Sequence, residues 1–244
     1  MKKFNDTLLA DYMGGFWGYG NLNGDYWFVG MEEGGGDSFE EVDQRILQWD
    51  KRGRNSFEDL YQYHMDINVP KWFQEKAPLQ STWNRLIRVL LVTKGLIPER
   101  EAVRKYQIEQ LGRSNGEVCL LELLPLPSPT TSHWMYGQHS DIPILSSRET
   151  YTEKVGITRA GKIAELILEH QPKFVLFYGI GYLDWWRKAA DTKLTSKILH
   201  DKTAYFGKLG NTAIAVSQHP VATGVTLDYF HGIGKYISSL SDRQ

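Results

Sequence analysis

The sequence predicts an α/β fold: a three-layer α/β/α sandwich around a central, mostly parallel, four-stranded sheet. Three observations predict it. Four short apolar runs rich in β-branched or aromatic residues, Tyr26 to Met31, Val118 to Leu124, Phe174 to Tyr178 and Thr212 to Ser217, have strand length and little polar alternation. That is the pattern of strands buried on both faces. Between them lie segments with helical spacing, and strands that alternate with helices imply crossover units and a parallel sheet covered on both sides. Finally, the apolar runs lead into Gly30, Pro125, Gly179 and Pro220. Chain breakers there end the strands together, at the edge where open α/β sheets place their ligands.

Taken in order, Tyr26 to Met31 is the first core strand, and Ser38 to Trp49 has a helix-capping serine followed by apolar residues at helical spacing. Ser81 to Thr93 carries Trp83, Leu86, Ile87, Leu90 and Leu91 on one face, and Glu99 to Leu111 and Thr158 to His170 repeat that pattern. Asn68 to Ala77 is irregular. Leu124 to Ser147 is rich in Pro, Ser and Thr but holds His133, Trp134, Tyr136 and His139. A connection of that length with such side chains is expected to be ordered and to cover a site.

The 244 residues, 41% of them hydrophobic, suffice for one well-filled core, and no repeat or linker divides them, so residues 1–244 read as a single domain. No run approaches the roughly eighteen consecutive apolar residues of a membrane span, and Met1 to Asp11 lacks the features of a signal peptide. A cytoplasmic protein without a membrane partner is the expectation, and no obligate protein partner is implied. The only cysteine, Cys119, lies within an apolar run, which excludes a disulfide framework and a thiolate metal cluster. No metal or other cofactor is expected. The net charge of −1 provides no global attraction for nucleic acid. Charge is uneven, however: Asp25 to Asp43 is acidic, and Lys154 to Lys208 is richer in Lys and Arg.

Two segments carry candidate chemistry. In Asp25-Tyr-Trp-Phe-Val-Gly-Met-Glu-Glu-Gly-Gly-Gly-Asp37 a strand ends in paired carboxylates, Glu32 and Glu33, and then in a glycine-rich loop before a helix. Glycines there allow close backbone approach to a ligand, and free amides at a helix start can hold an anion. The segment lacks Gly-Lys-Ser/Thr, so it is no Walker A loop, and it does not match the dinucleotide fingerprint. In Ala213-Ile-Ala-Val-Ser-Gln-His-Pro-Val-Ala-Thr-Gly224 a strand delivers His219 to the sheet end before a rigid proline. Histidine exchanges protons near neutral pH. If the first and fourth core strands share a sheet edge, His219 and the glutamates face one pocket.

The order of these pieces resembles the uracil-DNA glycosylase superfamily from about Asp25 onward. Gly30-Met-Glu-Glu-Gly34 stands where that superfamily has its water-activating loop, and His219-Pro-Val221 where it has His-Pro-Ser. Glu117 to Pro127 resembles the strand bearing the base-reading Asn, with Glu122 in its place, and Phe174 to Gly179 resembles the third core strand. Glu33 departs from the customary proline, Val221 from the serine, and the iron–sulfur cysteines of some branches are absent.

The resemblance implies an enzyme that flips an altered base out of DNA and hydrolyses its N-glycosidic bond. Glu32 would align the attacking water with Glu33 as the fallback, and His219 would hydrogen-bond the leaving base. Glu122, Gly30, Met31 and Phe39 would hold the base. Gly34, Gly35 and Gly36 would allow close approach of the flipped nucleotide, and Pro220, Val221, Ala222 and Thr223 would form the wedge loop. Trp134, Tyr136, Trp185 and Trp186 are alternative stacking surfaces. An ionised Glu122 accepts hydrogen bonds only; it would repel O4 of uracil and suit the exocyclic amine of cytosine. Ordinary cytosine would be a lethal substrate, so a further mark such as a bulky C5 group is expected. Cytosines of that kind occur in some phage genomes, which implies antiviral defence. A uracil-excising repair enzyme and a catalytically silent sensor of modified bases remain alternatives. So does a metal-dependent nucleotide hydrolase using Glu32, Glu33 and Asp37.

Overall fold

The computed structural model describes residues 2–241, so residue 1 and residues 242–244 of the expected domain lie outside the described residues. All four apolar runs are strands. In chain order the strands are β1 (Gly18–Gly20), β2 (Tyr26–Glu32), β3 (Phe57–Glu58), β4 (Val118–Leu124), β5 (Phe174–Tyr178), β6 (Thr195–Leu199), β7 (Lys202–Leu209) and β8 (Thr212–Ser217). They form one sheet in the order β3-β1-β4-β2-β5-β8-β7-β6. The four expected strands are its adjacent centre, with β2 parallel to β4 and β5, and β5 parallel to β8.

The expected four-stranded sheet is therefore corrected to eight strands among the described residues. The added strands lack the signal that marked the central ones. β1 and β3 span three and two residues, whereas β6 is exposed along most of its length and β7 alternates. Marginal strands with a wet face or edge carry no continuous apolar run.

The helices are α1 (Asp6–Gly15), α2 (Phe39–Lys51), α3 (Leu60–Asp66), α4 (Ser81–Thr93), α5 (Arg100–Glu109), α6 (Tyr136–His139), α7 (Arg148–His170), α8 (Leu183–Ala190) and α9 (Leu227–Ser241). Ser38 caps α2 by accepting from the Glu41 amide, as its position suggests. α7 begins ten residues before the expected Thr158, because Ser147 caps it through the Thr150 amide. Gly156 inside α7 marks close packing rather than an end: a Cβ there would sit 3.0 Å from the Trp185 ring of α8.

The chain steps from β2 to β4 and then back across β2 to β5. Right-handed crossovers in opposite directions place their helices on opposite faces. Accordingly α4 packs with α5 and α9, and α7 packs with α8. Trp27, Val29, Leu176, Phe177, Ile214 and Val216 are fully enclosed between the layers, and Cys119 is core, as its surroundings imply. Among the described residues no helix is long and apolar enough to cross a membrane.

Leu124 to Ser147 is ordered. Trp134 lies 4.8 Å from Tyr136 and 5.0 Å from Tyr151, and its indole N–H donates to the Leu145 carbonyl at 2.8 Å. These aromatics hold the loop in place, while Ser128 to Thr131 line a cavity over the central strands.

Candidate active site

Because the central strands are parallel, their carboxyl ends open on one side, and a cavity of about 720 Å³ lies there. Glu32 ending β2, Glu33 just after it, Glu122 in β4, Tyr178 ending β5 and His219 after β8 all line it. The first and fourth core strands share no edge, since β5 separates them, yet their ends reach the same cavity. Met31, Gly34 and Gly35 also line it.

Glu122, Gly30 and Tyr178 form a row across three neighbouring strands. Gly30 is the register partner of Glu122, and a Cβ on Gly30 would collide with the Tyr178 hydroxyl and Glu122 Oε2. Glycine at position 30 therefore makes room for a carboxyl group above the sheet. The Tyr178 hydroxyl faces Glu122 Oε1 at 3.4 Å, while Oε2 is inaccessible and has no partner. The Arg159 guanidinium comes near but bonds elsewhere, donating to the Leu123 carbonyl at 2.8 Å and the Glu122 carbonyl at 3.0 Å. It fixes the backbone of β4 without neutralising the carboxyl. Burial, followed by the charges of Glu33 and Glu32, holds the Glu122 carboxyl well above the usual carboxylate range. These surroundings disfavour the ionised, acceptor-only Glu122 expected from the sequence and favour a protonated carboxyl with one donor and one acceptor.

Glu32 has the opposite neighbour. Arg148, the first residue of α7, donates through Nη2 to Glu32 Oε1, and the two side chains are only 16% and 10% exposed. Glu32 Oε2 and Arg148 Nη1 are both inaccessible and unpartnered. Burial raises the Glu32 carboxyl while the Arg148 hydrogen bond and charge oppose it. Trp134 lies beneath the guanidinium, its ring centre 6.0 Å away. The long loop thus supports the pair. Glu33 is held differently, accepting from the Tyr19 hydroxyl at 3.0 Å and pairing with Arg45 at 3.1 Å, both through Oε2.

His219 presents an edge to Tyr178, with ring centres 5.9 Å apart. Burial lowers its pKa, so the ring is neutral at neutral pH. Its Nδ1 accepts a long hydrogen bond from the Val221 amide at 3.4 Å, which leaves the proton on Nε2 as a donor.

The glycine-rich loop is not an open anion cradle. Glu41 accepts from the Gly36 amide at 3.1 Å and the Asp37 amide at 3.0 Å, so a fixed carboxylate already occupies those donors. Gly35 and Gly36 have φ of +99° and +76°, and a Cβ on Gly36 would sit 2.9 Å from the Pro127 carbonyl oxygen. These glycines serve the turn and its close packing. Gly36 does not line the cavity. Phe39 does not either: it stacks on Phe4 at 4.5 Å beside His139, which corrects its expected contact with a base. Trp186 is fully buried in the core, so it is no stacking surface. Pro220 is buried, Val221 is 51% exposed, Ala222 is half-buried and Thr223 is exposed, and none of the four lines the cavity. The Ala222 amide donates to the His219 carbonyl at 2.9 Å.

The opposite wall had no sequence signal. His64 of α3, Trp72 of the Pro70–Trp72 turn and Trp83 of α4 line it, with Trp83 5.5 Å from His64 and 6.2 Å from Trp72. Trp83 reads from sequence as part of the core face of a helix. Arg148, Tyr178 and the Arg45 bridge were likewise missed, because partnership across the fold leaves no mark on local spacing. Glu32, Glu33 and Asp37 do not converge on one point, and among the described residues no three His, Cys, Asp or Glu side chains are grouped as metal ligands.

Together these groups form an acid-lined, aromatic-walled cavity with a buried carboxyl that no cation bonds, an arginine-held carboxyl and an imidazole. The chain matches no known protein family, and no curated protein is detectably similar to it.

Proposed function

We propose that this chain is a DNA glycosylase that hydrolyses the N-glycosidic bond of a flipped-out altered pyrimidine, a modified cytosine in preference to uracil, as in antiviral defence. The observation that carries the proposal is the convergence of Glu32, Glu122 and His219 from three parallel strands on one cavity. These are the residues through which the sequence resembles the uracil-DNA glycosylase superfamily, and the strands that carry them belong to the adjacent centre of the sheet.

Cleavage of this bond builds positive charge on the deoxyribose and negative charge on the departing base. Glu32, whose charged form the Arg148 hydrogen bond favours, aligns the attacking water and stabilises the sugar's developing charge. His219 donates from Nε2 to the base. The wall of Trp72 and Trp83 offers planar contact to a ring removed from the duplex stack. A neutral Glu122 can pair with either pyrimidine edge. Cytosine is favoured because its N3 is an acceptor for the Glu122 proton, whereas N3 of uracil already carries one. The cavity also lies in the upper half of the roughly 300–1,000 Å³ range of small-molecule sites, more than one six-membered ring requires. The surplus suits a bulky C5 group.

The occupied amides of the glycine-rich loop and the dispersed glutamates disfavour the metal-dependent hydrolase. The test is a panel of oligonucleotides and phage DNAs bearing uracil or modified cytosines, scored for alkali-labile abasic sites with and without EDTA. Wild type should form such sites with EDTA present, and Glu32→Gln should lose about 10² to 10⁴ in rate while keeping its fold. Binding without abasic sites would make the protein a sensor. Uracil excision without cleavage of modified cytosine would remove the cytosine preference.

A further inference from the structure

We infer that Glu122 is a catalytic general acid as well as a base reader, donating its carboxyl proton to N3 of the leaving cytosine. This role rests on the glycosylase reading and deepens it.

The geometry separates two carboxyls in one cavity. Glu32 is tied to a guanidinium, whereas no cation is bonded to the Glu122 carboxyl. The charged or titratable groups around Glu122 are Glu32 and Glu33 at the end of β2, Tyr178 of β5, and Arg159 of α7. His219, His64 and Arg45 line the same cavity. Tyr178 reaches Oε1, Arg159 is spent on main-chain carbonyls, and Oε2 meets nothing. A carboxylic acid without a hydrogen-bond acceptor, on a residue that lines the cavity, can give its proton to a base held there. Paired carboxyls whose surroundings push their ionisation apart divide into acid and base. Burial raises both groups here; Glu32 has a hydrogen-bonded cation to oppose it, whereas at Glu122 Arg159 opposes it by its charge alone and more weakly than burial and the two glutamates act.

The step balances as follows. The bond between N1 and C1′ breaks and its electron pair passes into the ring. The Glu122 proton moves to N3, so the base departs neutral and Glu122 remains a carboxylate. Water attacks C1′ and gives its proton to Glu32. Net transfer of that proton to Glu122 through solvent restores the starting state.

Two measurements test this. Carbon-13 NMR titration of labelled glutamate carboxyls in the free protein, with Glu122→Gln used for assignment, should find Glu122 protonated at pH 7. An ionised Glu122 at that pH overturns the proposal whatever the substrate. Single-turnover cleavage of oligonucleotides bearing 5-hydroxymethyl-, 5-fluoro- and 5-formylcytosine then varies the leaving ability of the base. Glu122→Gln should slow the poorest leaving group by about 10² to 10⁴ and the best by much less, with Kd changed only a few-fold. An equal loss on all three substrates, or a loss confined to Kd, makes Glu122 a base reader only and overturns the acid role. If wild type forms no abasic sites on these substrates or on the phage DNAs, the glycosylase reading fails and takes this role with it.

Discussion

Replacing Glu122 by glutamine tests its protonation through stability alone. The unfolded chain ionises glutamate near ~4.3, whereas in the folded chain burial and two neighbouring carboxyl groups favour keeping the proton. Over that range the folded state binds one proton more than the unfolded, so wild-type stability falls as pH rises. The slope is about 1.4 kcal/mol per pH unit while Glu122 stays protonated. From pH 5 to pH 7 this amounts to about 3 kcal/mol, a large part of the roughly 5–15 kcal/mol that stabilises a typical domain. Glutamine has no proton to retain, and its amide keeps both a donor and an acceptor in the same volume. Urea denaturation of both proteins at several pH values should show stability curves that diverge by about 3 kcal/mol between pH 5 and 7, with the variant gaining as pH rises. Parallel curves, or a variant that loses ground at higher pH, would mean that Glu122 is ionised in the folded protein.

Other consequences follow from the same contacts. Removing Arg148 as Arg148→Gln leaves burial of Glu32 unopposed and raises its carboxyl further, so the acidic limb of the rate profile moves to higher pH. The loss should be greater at about pH 6 than at about pH 8 in a thermal-melt-matched assay, and Arg148→Lys should retain part of the effect. Gly30→Ala places a methyl group against the Tyr178 hydroxyl and Glu122; overpacking of this kind costs about 1–3 kcal/mol, and chemical denaturation should show partial relief in the Tyr178→Phe background. Phe39→Leu loses its stack on Phe4 and should lower the melting temperature while leaving single-turnover cleavage unchanged.

The central strands were legible because burial on both faces writes itself as an uninterrupted apolar run, as in Phe174 to Tyr178. α4 was legible to the residue because its apolar face repeats at helical spacing from Trp83 to Leu91. Glu32 and His219 were legible from strands that run into a shared end of the sheet, and Glu122 from the resemblance of its strand to the one bearing a base-reading Asn. Their ionisation was not. The neutrality of Glu122 depends on Arg159 turning to backbone carbonyls, and the charge of Glu32 depends on a residue 116 positions away. Phe39 was misplaced because its partner, Phe4, comes from a segment with no strand or helix signal in the sequence. The glycine-rich loop was over-read as an anion site because Glu41, its actual occupant, looked like an ordinary surface residue in the first turn of α2.

The most direct test of the glycosylase reading is mass spectrometry of the products formed when the purified protein is incubated with DNA whose cytosines carry a bulky C5 group. Free modified base and abasic strand should appear in equal amounts with wild type, with EDTA present, and neither should appear above background with Glu32→Gln. Release of a nucleotide in place of the free base, or no product from any modified or uracil-containing DNA, would contradict it.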